Sequence, residues 1–89
     1  MTSRVAISSE KIEDGKIEEI CEWLQKNAGQ GSSRYGGQKG NVSHWLNGDD
    51  WLYYEEYTLS AAEDRAVDAN YIFVFRSEEI AVEFALRFA

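Results

Sequence analysis

The sequence predicts an α+β domain in the order β-α-β-β-β-α, one small antiparallel sheet with two helices on one of its faces. Three observations carry that expectation. Ile17, Ile20, Cys21, Leu24 and Ala28 recur at the spacing of one helical face, and Ile80, Phe84 and Phe88 do so again near the end of the chain. β-prone runs stand at residues 4–8, 42–46, 51–59 and 70–75. No internal repeat links them, so the strands between the two helices fit one sheet.

In chain order, residues 4–8 place Val5 and Ile7 on one side of a first strand. A helix over residues 14–28 follows, with Asp14 as its N-cap, Glu18 and Glu19 in the first turn, Lys26 near the negative end and Gly29 in the left-handed position beyond it. Residues 29–40 hold five of the seven glycines and no aliphatic anchor, which predicts a mobile loop. Asn47-Gly48 suits a type I′ turn and predicts a hairpin between strands 42–46 and 51–59. Residues 60–68 are polar and read as a connection. Ile72, Phe73, Val74 and Phe75 then form a central strand. Ser77 caps the last helix, Glu78 and Glu79 sit at its positive end, and Val82 and Leu86 widen its apolar stripe. With both helices on one sheet face, Ile20, Leu24, Ile72, Val74, Phe84 and Phe88 make the core.

Composition bounds the function. The 89 residues suit a single domain over residues 1–89, and 44% hydrophobic content is too high for a disordered chain. The single Cys21 excludes an intramolecular disulfide framework, no zinc-ligand spacing occurs, and a reducing, cytoplasmic setting is expected. The chain carries neither a signal-like apolar segment nor an apolar run near the length of a membrane span. Sixteen Asp and Glu against nine Lys and Arg give a charge of −7, which repels phosphate backbones and disfavours nucleic acid as a partner.

No catalytic constellation emerges. Cys21 belongs to the apolar face of the first helix, and His44 shares a predicted strand face with Val42 and Leu46, so no nucleophile and base pair is in view. His44, Asp49 and Asp50 are a weak metal set, because turn carboxylates are ordinarily solvated; no metal or cofactor is expected. The element order of residues 14–89 resembles that of double-stranded RNA-binding domains, but Ser77-Glu78-Glu79 stands where those carry lysines.

Two constellations remain. In the glycine-rich segment, Arg34, Tyr35 and Lys39, with Trp45, have the chemistry to hold a phosphate or stack a base, although the segment lacks P-loop spacing. In the predicted hairpin, Trp51, Tyr53, Tyr54 and Tyr57 fall on both faces of a strand whose sheet has helices on one side only. Asp49, Asp50, Glu55 and Glu56 border them. Either some of these rings are exposed and ringed by acid, a surface suited to a basic protein, or long loops cover them and the acids only solvate the fold.

Residues 69–89, with Gly48-Asp49-Asp50-Trp51, Tyr53 and Tyr54, resemble the closing strand and helix of small uncharacterised proteins encoded by tailed bacteriophages. The resemblance implies a short protein that binds and modulates a host machine in the host cytoplasm. The expectation is therefore a non-enzymatic acidic inhibitor of a basic protein, such as a nucleic-acid enzyme or defence nuclease, contacting it through Asp49, Asp50, Trp51, Tyr53, Glu55 and Glu56. The alternative is a phosphate-ligand or single-strand binder using Arg34, Tyr35, Lys39 and Trp45.

Overall fold

The computed structural model describes residues 2–62 and 65–89, with the backbone alone at 65 and 66. Its elements are β1 (Ser3–Ser8), a 3-10 turn (Ser9–Lys11), α1 (Lys16–Asn27), β2 (Gly31–Ser33), β3 (Gly37–Gln38), β4 (Trp51–Ser60), β5 (Arg65–Phe75) and α2 (Glu78–Phe88). β4 and β5 form a long antiparallel hairpin, from the Trp51–Phe75 pair to the Ser60–Arg65 pair, with an irregularity between Glu56 and Thr58. Most of the connection expected at residues 60–68 is thus strand, and residues 63 and 64 lie outside the described residues. β1 adds antiparallel to the outside of β5, Ser3 opposite Phe75 and Ser8 opposite Asn70.

The other edge differs from the expectation. β2 and β3 both lie parallel to β4, Gly31 opposite Trp51 and Gly37 opposite Glu56. The fold is α+β as expected, but its five-stranded sheet is mixed, and the segment read as a loop supplies two of the strands. Glycine makes this pairing possible by its lack of a side chain: a Cβ on Gly31 would enter the Trp51 ring, and one on Gly36 the Glu55 backbone.

Both helices pack on one sheet face. Ile20 and Leu24 of α1 and Ala81 and Phe84 of α2 join Ile7, Trp51, Phe73 and Phe75 in one buried cluster. Ser77 caps α2 by accepting a hydrogen bond from the Ile80 amide at 3.3 Å. Asp14 does not cap α1; Gly15, at φ 84°, is the N-cap and makes no side-chain cap bond. Val82 and Leu86 do not widen the buried stripe either, being 54% and 84% exposed.

The expected strand at residues 42–46 is not a strand. This stretch crosses the opposite sheet face as a strap, where Val42 and Leu46 pack on Leu52, Tyr54, Ile72 and Val74. Alternation of Val42, His44 and Leu46 fixes which side chains point inward, but not whether the backbone pairs with an edge or lies across a face. Gly48 has φ 92°, yet the turn there leads from the strap into β4 instead of closing a hairpin. Ile72 and Val74 are therefore buried beneath the strap and not beneath the helices.

Candidate functional site

With both faces covered, β4 hides the rings that the sequence placed at a surface. Trp51 is 2% exposed, and its Nε1 donates to Gly29 O at 3.0 Å. Tyr53 is half-buried on the helix face, stacked on Phe73 at 5.3 Å between ring centroids, and its phenol hydrogen-bonds with Cys21. Tyr54 is buried under the strap and accepts from Arg4 Nη1 at 2.8 Å. Trp51 is thus a core residue beneath the helices with Tyr53 half-buried beside it, while the strap supplies the second covering layer, over Tyr54, that the sequence did not reveal.

The four carboxylates do not form one patch. Asp49 Oδ2 meets Arg34 Nη2 at 2.6 Å and accepts from Ser32 Oγ at 3.3 Å, while its carbonyl accepts from Arg76 Nη2 at 2.7 Å. Asp50 Oδ2 accepts from the Gln30 amide at 3.0 Å, and Oδ1 lies 3.9 Å from Arg76 Nε. Both tie the start of β4 to the segment entering β2 and to the end of β5. Glu55 and Glu56 are consecutive in β4 and so point to opposite sheet faces. Arg34 is consequently held by Asp49 and Ser32, which leaves Lys39 as the exposed cation of the expected phosphate-binding group.

What the structure does expose is a different pair. Tyr35 and Trp45 are 78% and 77% exposed. Tyr35 follows β2 and Trp45 belongs to the strap, and His44 connects them. The His44 ring meets Tyr35 edge-on at 4.8 Å and Tyr54 at 5.0 Å, and its Nε2 donates to Tyr35 O at 3.0 Å. His44 thus stands between the buried Tyr54 and the exposed Tyr35, with Trp45 beside it in sequence and out of phase with the inward Val42, His44 and Leu46. That phase was the signal available in the sequence: a residue one step out of an inward alternation points away.

The titratable groups suit packing. Burial raises the Cys21 thiol above its ordinary range, with Glu18 adding to the effect and the Tyr53 hydrogen bond opposing it. Burial raises Tyr53, reinforced by Cys21, and burial with the nearby Glu55 raises Tyr71. Cys21 on α1 and His44 on the strap lie on opposite sides of the sheet. Among the described residues no three His, Cys, Asp or Glu side chains are placed to hold a metal ion, and no helix is long and apolar enough to cross a membrane. In comparisons with known proteins the chain matches no family model, no curated protein and no solved structure.

Proposed function

We propose that this chain is a non-enzymatic interaction protein that presents Tyr35 and Trp45 to a basic protein partner, with its net charge of −7 steering the encounter. The observation that carries the reading is the presentation itself. Two large rings stand more than three-quarters exposed on a domain that buries Trp51, Tyr54, Phe73, Phe75 and Phe84. Exposed aromatics anchor protein interfaces because they bring large area with few rotatable bonds. The bacteriophage resemblance adds the role, binding and modulating a host protein in the host cytoplasm, and the net charge adds that this protein is basic. Asp49, Asp50, Glu55 and Glu56 contribute to the steering field, and the contact shifts from Trp51 and Tyr53 to Tyr35 and Trp45.

The test is capture from host lysate at two salt concentrations by wild type, Tyr35→Ala and Trp45→Ala. We expect a partner that is lost at high salt and lost from both variants. Capture that survives both substitutions, or that is indifferent to salt, refutes the proposal. The single-strand reading draws on the same two rings, and an oligonucleotide that quenches Trp45 fluorescence at physiological salt would favour it instead.

A further inference from the structure

We infer that two copies of this chain associate about a two-fold axis, joining the open edge of β1 to its counterpart and the flank of α2 to its counterpart. β1 ends the strand order, so one side of it has no strand partner among the described residues. Which backbone groups it offers follows from two hydrogen bonds. Arg76 N donates to Asp50 O at 3.0 Å, and Arg34 N to Tyr53 O at 2.8 Å. Along β4, therefore, Leu52 and Tyr54 direct their backbone groups to β5, and Trp51 and Tyr53 direct theirs to β2. Leu52 and Tyr54 pair with Val74 and Ile72, so Tyr71, Phe73 and Phe75 turn theirs to β1, where they meet Ile7, Val5 and Ser3. The N–H and C=O groups of Arg4, Ala6 and Ser8 point outward.

A second copy fits this edge in one best register. An axis through Ala6 pairs Ala6 with its symmetry mate and Arg4 with Ser8 of the second copy, forming about six hydrogen bonds at two per hydrogen-bonded pair. No like charges face each other. Centring on Val5 leaves Ser8 outside the ladder of the two strands, and a one-residue shift places the two α2 helices on opposite faces. The far edge of the sheet offers no such ladder, because β2 and β3 are three and two residues long and interrupted at 34–36.

A six-residue strand edge is too small alone, since stable interfaces bury about 1,200–2,000 Å². The second component is α2, which packs against both β1 and β5. With strands about 4.8 Å apart, a helix over the β1–β5 gap stands about 5 Å from the axis, so the two α2 helices lie about 10 Å apart, at packing distance. The flank is apolar beyond its first turn, where the exposed Glu78 stands four residues before Val82. Arg87 reaches over Trp23 of α1 at 5.9 Å, which marks the inner side of α2, whereas Val82 and Ala85 project from the side away from α1, with the exposed Leu86 adjoining them. Of the three exposed aliphatics, Leu59, Val82 and Leu86, two thus lie on the helix that packs on the unpaired strand.

Sedimentation and amide exchange test this on the full chain. We expect dimerisation within concentrations up to about 1 mM, strengthened by salt because each copy carries −7. Salt weakens capture of a basic partner, so the two proposals fail separately. Exchange of the Arg4, Ala6 and Ser8 amides should slow about tenfold or more as concentration rises, while Val5 and Ile7 stay protected throughout. Val82→Glu with Leu86→Glu should weaken association about tenfold or more at unchanged circular dichroism. If that variant unfolds, the wild-type exchange pattern decides alone. A monomer at every concentration, a dimer with freely exchanging Arg4, Ala6 and Ser8 amides, or a folded double variant that dimerises as wild type overturns the inference.

Discussion

Gly36→Ala tests the architecture that presents Tyr35, without touching a proposed contact. Gly36 does not occupy the left-handed region, so the dihedral preference of alanine is no obstacle. Space is the obstacle: the added methyl meets the carbonyl oxygen, carbonyl carbon and nitrogen of Glu55, all backbone atoms of β4 that cannot swing aside as a side chain would. Overpacking of this kind costs about 1–3 kcal/mol. Removing the freedom of glycine in the unfolded chain returns about 0.4–1 kcal/mol. The net destabilisation is about 1–2 kcal/mol, which, at a urea dependence of about 1 kcal/mol per molar for a chain this small, lowers the midpoint by about 1–2 M. The damage should be local as well. The amides of Arg34 and Lys39, which donate to Tyr53 O and Tyr57 O at 2.8 and 2.7 Å, flank Gly36 and should lose exchange protection before those of β5. Partner capture should weaken too, because Tyr35 adjoins the displaced residue. An unchanged or raised midpoint with Arg34 and Lys39 still protected would refute the close approach of this segment to β4.

Two further outcomes are expected. Cys21, Tyr53 and Tyr71 all titrate higher in the folded chain than their ordinary values, so the unfolded chain releases these protons first. Their stabilising contribution is complete below about pH 8.5 and falls as pH rises through and beyond the ordinary thiol and phenol ranges. Urea midpoints should therefore drop between pH 8 and pH 10, and a flat profile across that window would contradict the burial of these groups. For the Arg34–Asp49 pair, both partners of which are about a quarter to a third exposed, a double-mutant cycle with Arg34→Ala and Asp49→Ala should give a coupling of about 1 kcal/mol. Zero coupling would place Arg34 free for a ligand.

The helical half of the fold was legible because helices advertise themselves locally. Ile20, Leu24 and Phe84 lie three or four residues from apolar neighbours on the same face, and Ser77 stands where a cap must stand. Of the sheet, β1, β4 and β5 were legible as β-prone runs, but which strand pairs with which was not. What the sequence hid is nonlocal. Nothing near Gly31 or Gly36 announces that their missing side chains admit Trp51 and the Glu55 backbone, since the partner residues lie about twenty positions away. Val42, His44 and Leu46 read as a strand because a strap across a sheet face and a strand at its edge show the same alternation. From that one ambiguity followed the expectation that some of the β4 rings are exposed, since the strap covers the face on which Tyr54 lies. The site was half visible: Tyr35 and Trp45 stood in the alternative set, but the pairing of Arg34 with Asp49 united members of two sets that the sequence had kept apart.

That union changes how the acidity of the chain can act. Asp49 and Asp50 are occupied with Arg34, Arg76 and the Gln30 amide, and Glu55 and Glu56 point to opposite faces, so the four do not form a contact patch of concentrated charge. Exposed charges act in water over about 8 Å at physiological ionic strength, a distance shorter than the domain but longer than any contact. On the proposed reading the excess of carboxylates works through the summed field around the molecule, guiding a cationic surface toward it and setting how often collisions occur. Whether a collision persists depends on what is buried at the contact, and on the proposed reading that is the area of Tyr35 and Trp45. The two contributions lie on different residues. Rate of association should follow the count of carboxylates with little regard to which are removed, whereas lifetime should follow the two rings individually.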